Sequence, residues 1–158
     1  MQIRAAVVGK KSDAFVIDSL ELSAPRPDEV LVRVVATGMC QTDLHGRDGY
    51  HPMSYPKVFG HEGAGVVHAV GSAVRALAPG DHVVMSYPWC GSCDNCRRYR
   101  RSYCLQSFDL KWKGTRADGS TVHSKNGAPV YGAFFQQSSF ATFALTQERY
   151  AVKVRSDA

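Results

Sequence analysis

The amino-acid sequence predicts a mainly β domain, a barrel or sandwich with only short helices. Three observations carry that expectation. Apolar residues fall in short runs rich in valine and isoleucine, which suit a pleated, half-buried surface. Fourteen glycines and seven prolines separate those runs, so turns are frequent. Helical spacing is confined to two brief stretches, residues 40–46 and 93–100.

In chain order, residues 3–8 read as a strand and 14–20 as its partner. Pro25 and Pro27, followed by Asp28 and Glu29, mark a turn. The run VLVRVVA at 30–36 then reads as a buried strand. Residues 40–46 supply one or two helical turns. Residues 65–70 and 82–85 are two further strands. Pro79-Gly80 turns the chain between them, since proline presets φ and glycine accepts positive φ. Residues 93–100 form a second helical turn. Residues 105–130 are loop-rich, with Asp118-Gly119 and Asn126-Gly127 as turns. Strands at 139–145 and 150–154 complete the series.

Composition bounds the class. With 158 residues, 44% hydrophobic and 21% charged, the chain suits one globular domain that can bury a core without disulfide staples. Disordered and fibrous classes are excluded. No apolar run approaches the ~18 residues of a membrane span. Residues 1–10 lack a charged segment leading into an apolar one. The expected compartment is the cytoplasm, with no membrane partner. A net charge of +5 admits an anionic partner. Arg97, Arg98, Arg100 and Arg101 form the densest basic run, which reads as a solvated rim or, alternatively, as a nucleic-acid contact.

There are five cysteines, and four of them fall within fifteen positions. An odd count without an export signal argues against a disulfide framework. Cys90-Gly91-Ser92-Cys93-Asp94-Asn95-Cys96, then Cys104, has the spacing of a zinc lobe. Free thiols, disulfides or an iron–sulfur cluster are the alternatives. Four thiolates close a tetrahedron and leave no place for substrate, so such a zinc would be structural.

Cys40 stands apart, and His61-Glu62 follows it by about twenty residues. A mixed cysteine and histidine set with an open position is the catalytic type of zinc site. A distant cysteine and a single histidine are weak evidence alone, and Thr42 alone reads better as a helix N-terminal cap.

The neighbouring residues extend the reading. Gly60-His61-Glu62-Gly63-Ala64-Gly65, with Gly71 and Val74, resembles the zinc motif of the zinc-dependent medium-chain alcohol dehydrogenases. Cys40-Gln41-Thr42-Asp43-Leu44-His45 resembles that family's first-ligand segment. The four-cysteine lobe and Pro79-Gly80-Asp81-His82-Val83 fall in register with it. The segment from Phe134 to Ala141 resembles the aryl-alcohol (benzyl alcohol) dehydrogenase branch. The resemblance implies a GroES-like, partly open β-barrel carrying a four-cysteine structural zinc lobe at about residues 88–106. It implies oxidation of primary, aryl or bulky alcohols to aldehydes through a zinc-bound alkoxide. Cys40 and His61 would be catalytic zinc ligands, and Cys90, Cys93, Cys96 and Cys104 would hold a second, structural zinc. Thr42 would meet the substrate oxygen, His45 would pass its proton to solvent, Asp43 would orient His61, and Glu62 would stand beside the metal. Gln41 and His45 would border the cofactor.

Other expectations concern what surrounds this domain. The family's third catalytic cysteine lies beyond residue 158, and no G-x-G-x-x-G turn is present. The resemblance therefore implies a domain spanning 1–158, with NAD(P) bound mainly by a separate Rossmann domain and no turnover from this chain alone. The expected partners are a small alcohol or aldehyde and further copies of the complete enzyme, as homodimer or homotetramer, but no nucleic acid. Gln41 stands where many relatives carry a basic residue facing the cofactor. Gln136 replaces a glycine of the aryl branch. Met85, Ser86 and Tyr87 would line the alcohol pocket, the small Ser86 leaving room for a bulky substrate. A relative that lost its catalytic zinc, such as a quinone reductase, is disfavoured because Cys40, Thr42, His45 and His61 are all present.

Overall fold

The computed structural model describes residues 1–157; Ala158, the last residue of the expected domain, lies outside them. Ten strands are named β1 Gln2–Val8, β2 Val16–Leu22, β3 Glu29–Gly38, β4 Lys57–Val58, β5 Glu62–Val70, β6 His82–Met85, β7 His123–Lys125, β8 Ala128–Val130, β9 Phe143–Gln147 and β10 Ala151–Lys153. Three short helices accompany them, α1 Gln41–Arg47, α2 Asp94–Arg97 and α3 Ser107–Trp112.

The strands form two antiparallel sheets of five, ordered β4-β1-β2-β7-β8 and β10-β6-β5-β3-β9. The sheets curl toward each other as two half-barrels. Their seam is the segment before β9. Thr142 donates its amide to the Arg4 carbonyl on one sheet and accepts the Val34 amide from the other. This is the mainly β architecture with short helices expected from the sequence.

The core explains why the run at 30–36 is continuously apolar. Leu31 faces the cluster of Ile3, Ala5, Val7, Leu20 and Leu22 between the sheets. Val30 and Val32 face the opposite way, into a second cluster with Val67, Val83 and Met85. A strand buried on both faces needs no polar alternation. The expectation of a wholly buried strand holds only for this first half. Val35 and Ala36 are exposed, because the register with β5 shifts between Val34 and Ala36 and the strand leaves the core.

Three other expectations change. The strand placed at 139–145 starts at Phe143, because the residues before it form the seam. The loop-rich stretch 105–130 contains α3 and the hairpin of β7 and β8, which turns at Asn126-Gly127 as expected. A two-residue strand, β4, precedes the His61 segment and joins the first sheet through Val7 and Val8.

A third cluster joins Val8 to the rings of Phe59, Phe134 and Trp112, the last residue of α3, with Phe135 and Phe140 beside it. Fully burying Phe59 and Phe134 stabilises the fold by about 2 kcal/mol each.

Candidate metal centres

The first centre is built where β3 runs out. Cys40 is the N-cap of α1, in extended conformation. Its sulfur accepts the Thr42 amide at 3.3 Å, so the expected capping role of Thr42 belongs to Cys40. Asp43 closes a capping box by accepting the Cys40 amide at 3.1 Å. Its carboxylate is wholly buried, and its other oxygen takes the Gly60 amide at 3.0 Å. The same oxygen lies 3.1 Å from His61 Nδ1. Pinning Nδ1 turns Nε2 toward Cys40, whose sulfur is 3.2 Å away. Glu62 Oε1 stands 3.7 Å from that nitrogen.

Gly60 makes this approach possible. Its φ is +92°, and an added Cβ would lie 2.4 Å from the Phe140 amide nitrogen. Cys40, His61 and Glu62 thereby offer one sulfur, one nitrogen and one oxygen atom, all within 4.8 Å of each other. That donor set fits zinc and leaves room for a further ligand.

The remaining expected residues stand around this group. Thr42 and His45 lie three positions apart on α1, on one helix face, and no hydrogen bond joins their side chains among the described residues. The His45 ring stacks on Tyr50 at 4.6 Å. Gln41 is exposed at the start of α1. Met85 and Ser86 lie behind His61, linked to it through Gln137. The amide group of Gln137 reaches the His61 carbonyl at 2.9 Å and the Ser86 carbonyl at 3.4 Å, and its oxygen accepts the Gly63 amide at 3.0 Å. Tyr87 is exposed.

Sequence reasoning missed the wall over His61. The Phe135 ring lies 4.6 Å from the His61 ring, and Phe134 meets it edge-on at 5.6 Å. Trp112 packs on both phenylalanines and on His51 at 4.1 Å. This segment is strained: Ala133, Phe135, Gln136 and Ser138 all have positive φ. Gln136 has φ +58°, which explains why a glycine suits that position. Its amide compensates by donating to the Leu110 carbonyl at 3.1 Å.

The second centre is the lobe. Cys90, Cys93, Cys96 and Cys104 bring four sulfurs within 4.8 Å of one another, and none is in a disulfide. The Cys90 and Cys96 sulfurs are 3.9 Å apart. Four sulfurs at ~2.3 Å from a tetrahedral ion stand about 3.8 Å apart, so the spacing fits zinc. Burial opposes charge on Cys90, but the Cys93 and Ser92 amides and the Ser92 hydroxyl outweigh it and bring that thiol down to about 6. Burial pushes Cys96 up to about 12. A shared dication is what would let all four act as thiolates.

The lobe is fastened to the barrel through Trp89. Its carbonyl accepts the Tyr150 hydroxyl at 2.8 Å, and the Arg101 guanidinium lies 4.1 Å over its ring. Arg97, Arg98 and Arg100 are exposed on the lobe's rim.

Known proteins show the same domain. The alcohol dehydrogenase GroES-like domain family matches residues 26–156. Geraniol dehydrogenase of Castellaniella defragrans is 46% identical over 155 residues, covering 98% of this chain and 41% of that protein. The alcohol dehydrogenase zinc-binding domain protein of Burkholderia ambifaria superposes with a TM-score of 0.97 at 50% identity, over 100% of this chain and 43% of its own. Benzyl alcohol dehydrogenase of Acinetobacter calcoaceticus gives 0.94 at 44% identity, over 100% of this chain and 42% of its own. The chain thus spans about two fifths of the length of these relatives.

Proposed function

We propose, because this chain belongs to the alcohol dehydrogenase GroES-like domain family, that it is the zinc- and substrate-binding domain of an alcohol dehydrogenase acting on aryl or other bulky primary alcohols. The observation that carries the reading is the Cys40–His61 pair, held 3.2 Å apart by a buried carboxylate with Glu62 beside it. Relatives named for geraniol and benzyl alcohol support the substrate class.

Oxidising an alcohol to an aldehyde removes a hydride from the carbinol carbon and a proton from its oxygen. The hydride goes to a nicotinamide, which the remainder of the longer protein would bind. Cys40 and His61 would hold a zinc ion, which would supply the Lewis acidity that makes an alcohol proton labile near neutral pH.

The chain's own residues do the rest. Asp43 keeps the His61 proton on Nδ1, so Nε2 stays a free lone pair facing Cys40. Thr42 receives the hydrogen bond of the alcohol oxygen. A hydroxyl is a poor base, so the proton moves on to His45, one turn along α1 and half-buried at the surface. Glu62 offers a carboxylate beside the metal for ligand exchange. Phe135 and Trp112 exclude water on one side and pack against the organic group. Cys90, Cys93, Cys96 and Cys104 would hold a second zinc, which would order the lobe.

Native mass spectrometry of protein purified without chelator tests this. Two zinc ions per chain are expected, falling to one in Cys40→Ser and in His61→Ala. A count unmoved by both substitutions would sink the reading.

A further inference from the structure

One buried charge takes no part in the mechanism above. Lys57, on β4, is fully buried. The only hydrogen bond of its ammonium among the described residues is to the Trp112 carbonyl, at 3.0 Å. Burying an ammonium costs free energy unless it is well bonded, and the apolar surroundings push this one down to about 8. A methionine would fill the same space without that cost. The bond is therefore where a specific role for this lysine resides.

The bond acts on α3. A helix leaves its last carbonyls without intrahelical partners. Here Gln136 takes that of Leu110, and Lys57 takes that of Trp112, the final residue. The chain leaving α3 is shaped to the lysine. Gly114 has φ +76°, and a Cβ there would lie 2.4 Å from Nζ. Trp112 itself packs against Phe134 and Phe135, and Phe135 stacks on His61. Lys57 also lies only four positions before His61, across Val58 and Phe59, which are fully buried. One rigid segment thus holds both the candidate metal ligand and the anchor of the wall above it.

We propose that Lys57 is a positioning residue for substrate selection. Its bond to the end of α3 sets how far the Trp112–Phe135 wall stands from His61, and so favours a large, flat organic group over a small one. This rests on the alcohol dehydrogenase reading. The lysine touches neither substrate nor metal and acts through Trp112.

The test uses the zinc-loaded complete protein that carries this chain, with benzyl alcohol and ethanol as probes. In Lys57→Met, KM for benzyl alcohol should rise about tenfold, with kcat for both alcohols and KM for ethanol within about twofold of the parent. Zinc should stay at two per chain. An unchanged preference for benzyl alcohol overturns the proposal. So does an equal loss of kcat on both alcohols, which marks a merely structural role. If Lys57→Met does not fold, Lys57→Leu, which also lacks a donor, is read the same way.

A second readout separates this proposal from the reading beneath it. Trp89 and Trp112 are the two tryptophans of this chain, so replacing Trp89, and any tryptophan elsewhere in the complete protein, by Phe leaves Trp112 as the fluorescent probe. Removing the ammonium should raise acrylamide quenching of Trp112 about threefold, as a buried ring loosens. Absence of turnover on any alcohol with this change intact defeats the function but not the positioning. Unchanged quenching defeats the positioning whatever the turnover.

Discussion

The carboxylate of Asp43 and the imidazole of His61, eighteen positions apart, meet at 3.1 Å in a pocket where Asp43 has no exposed surface. The carboxylate is not simply an ion pair for the histidine. It also accepts the Cys40 and Gly60 amides, so one group positions the cysteine, the turn and the imidazole together.

Asp43→Asn should therefore weaken metal binding without removing a ligand. The amide keeps the shape but lacks the charge that holds the Nδ1 proton. Zinc affinity at the Cys40–His61 site should fall about 10- to 100-fold, measured by competition with a chromophoric chelator. Parent-like affinity would mean that the backbone alone orients His61.

The lobe should depend on its metal and the barrel should not. Cys96→Ser should lose one zinc, and trypsin should then cut at Arg97, Arg98, Arg100 or Arg101 about tenfold faster. The far-ultraviolet β signal should persist, since the two sheets carry their own core. Collapse of that signal would show the lobe to be essential for folding.

Glu29 and Arg116 form a bidentate pair, 2.6 and 2.8 Å, with both side chains under a tenth exposed. Breaking one side strands a buried charge. Glu29→Gln should lower stability by about 3 kcal/mol, read as a shifted urea midpoint, and Glu29→Leu with Arg116→Met should restore part of it. A single-substitution loss under about 1 kcal/mol would show that the pair is solvated.

Acid should destabilise the fold through His123. This side chain is 2% exposed, and neither ring nitrogen has a hydrogen-bond partner among the described residues. Burial, helped by the nearby Arg116 charge, pushes its pKa from 6.5 down to about 4. Between these values the unfolded chain binds the proton and the folded chain does not. Stability is thus unaffected above pH 6.5 and falls as pH drops toward 4, by up to about 3 kcal/mol. His123→Leu should flatten that slope in denaturation curves at pH 7 and 4.5. An equal slope in both proteins would assign the acid sensitivity to other groups.

Much of the fold could be read from local pattern. The valine-rich runs that became β1, β3, β5 and β6 announce themselves, as do the turns at Pro79-Gly80 and Asn126-Gly127. Four elements could not be read this way, among them β7 and β8, which are three residues each. β4 is only two residues long, and α3, at six, is too short to show a helical period. The four positive-φ residues other than glycine at 133–138 carry no signal in their types, because packing against His61 and α3 imposes that conformation. Glu29 read as a turn residue, and its partner lies 87 positions away.

Features that depend on neighbours along the chain are legible without the fold: the longer strands, the cysteine spacing of the lobe, and which segments carry metal-ligand chemistry. How far apart those groups stand follows from the packing of the whole domain. Cys40 faces His61 because β3 pairs with β5 as far as Gly38 opposite Glu62, after two shifts of register, and Phe135 and Trp112 close over them because a strained loop and a buried lysine hold them there. Such contacts come from closing long loops around a shared core, and their free energy belongs to the assembled packing rather than to any stretch of residues.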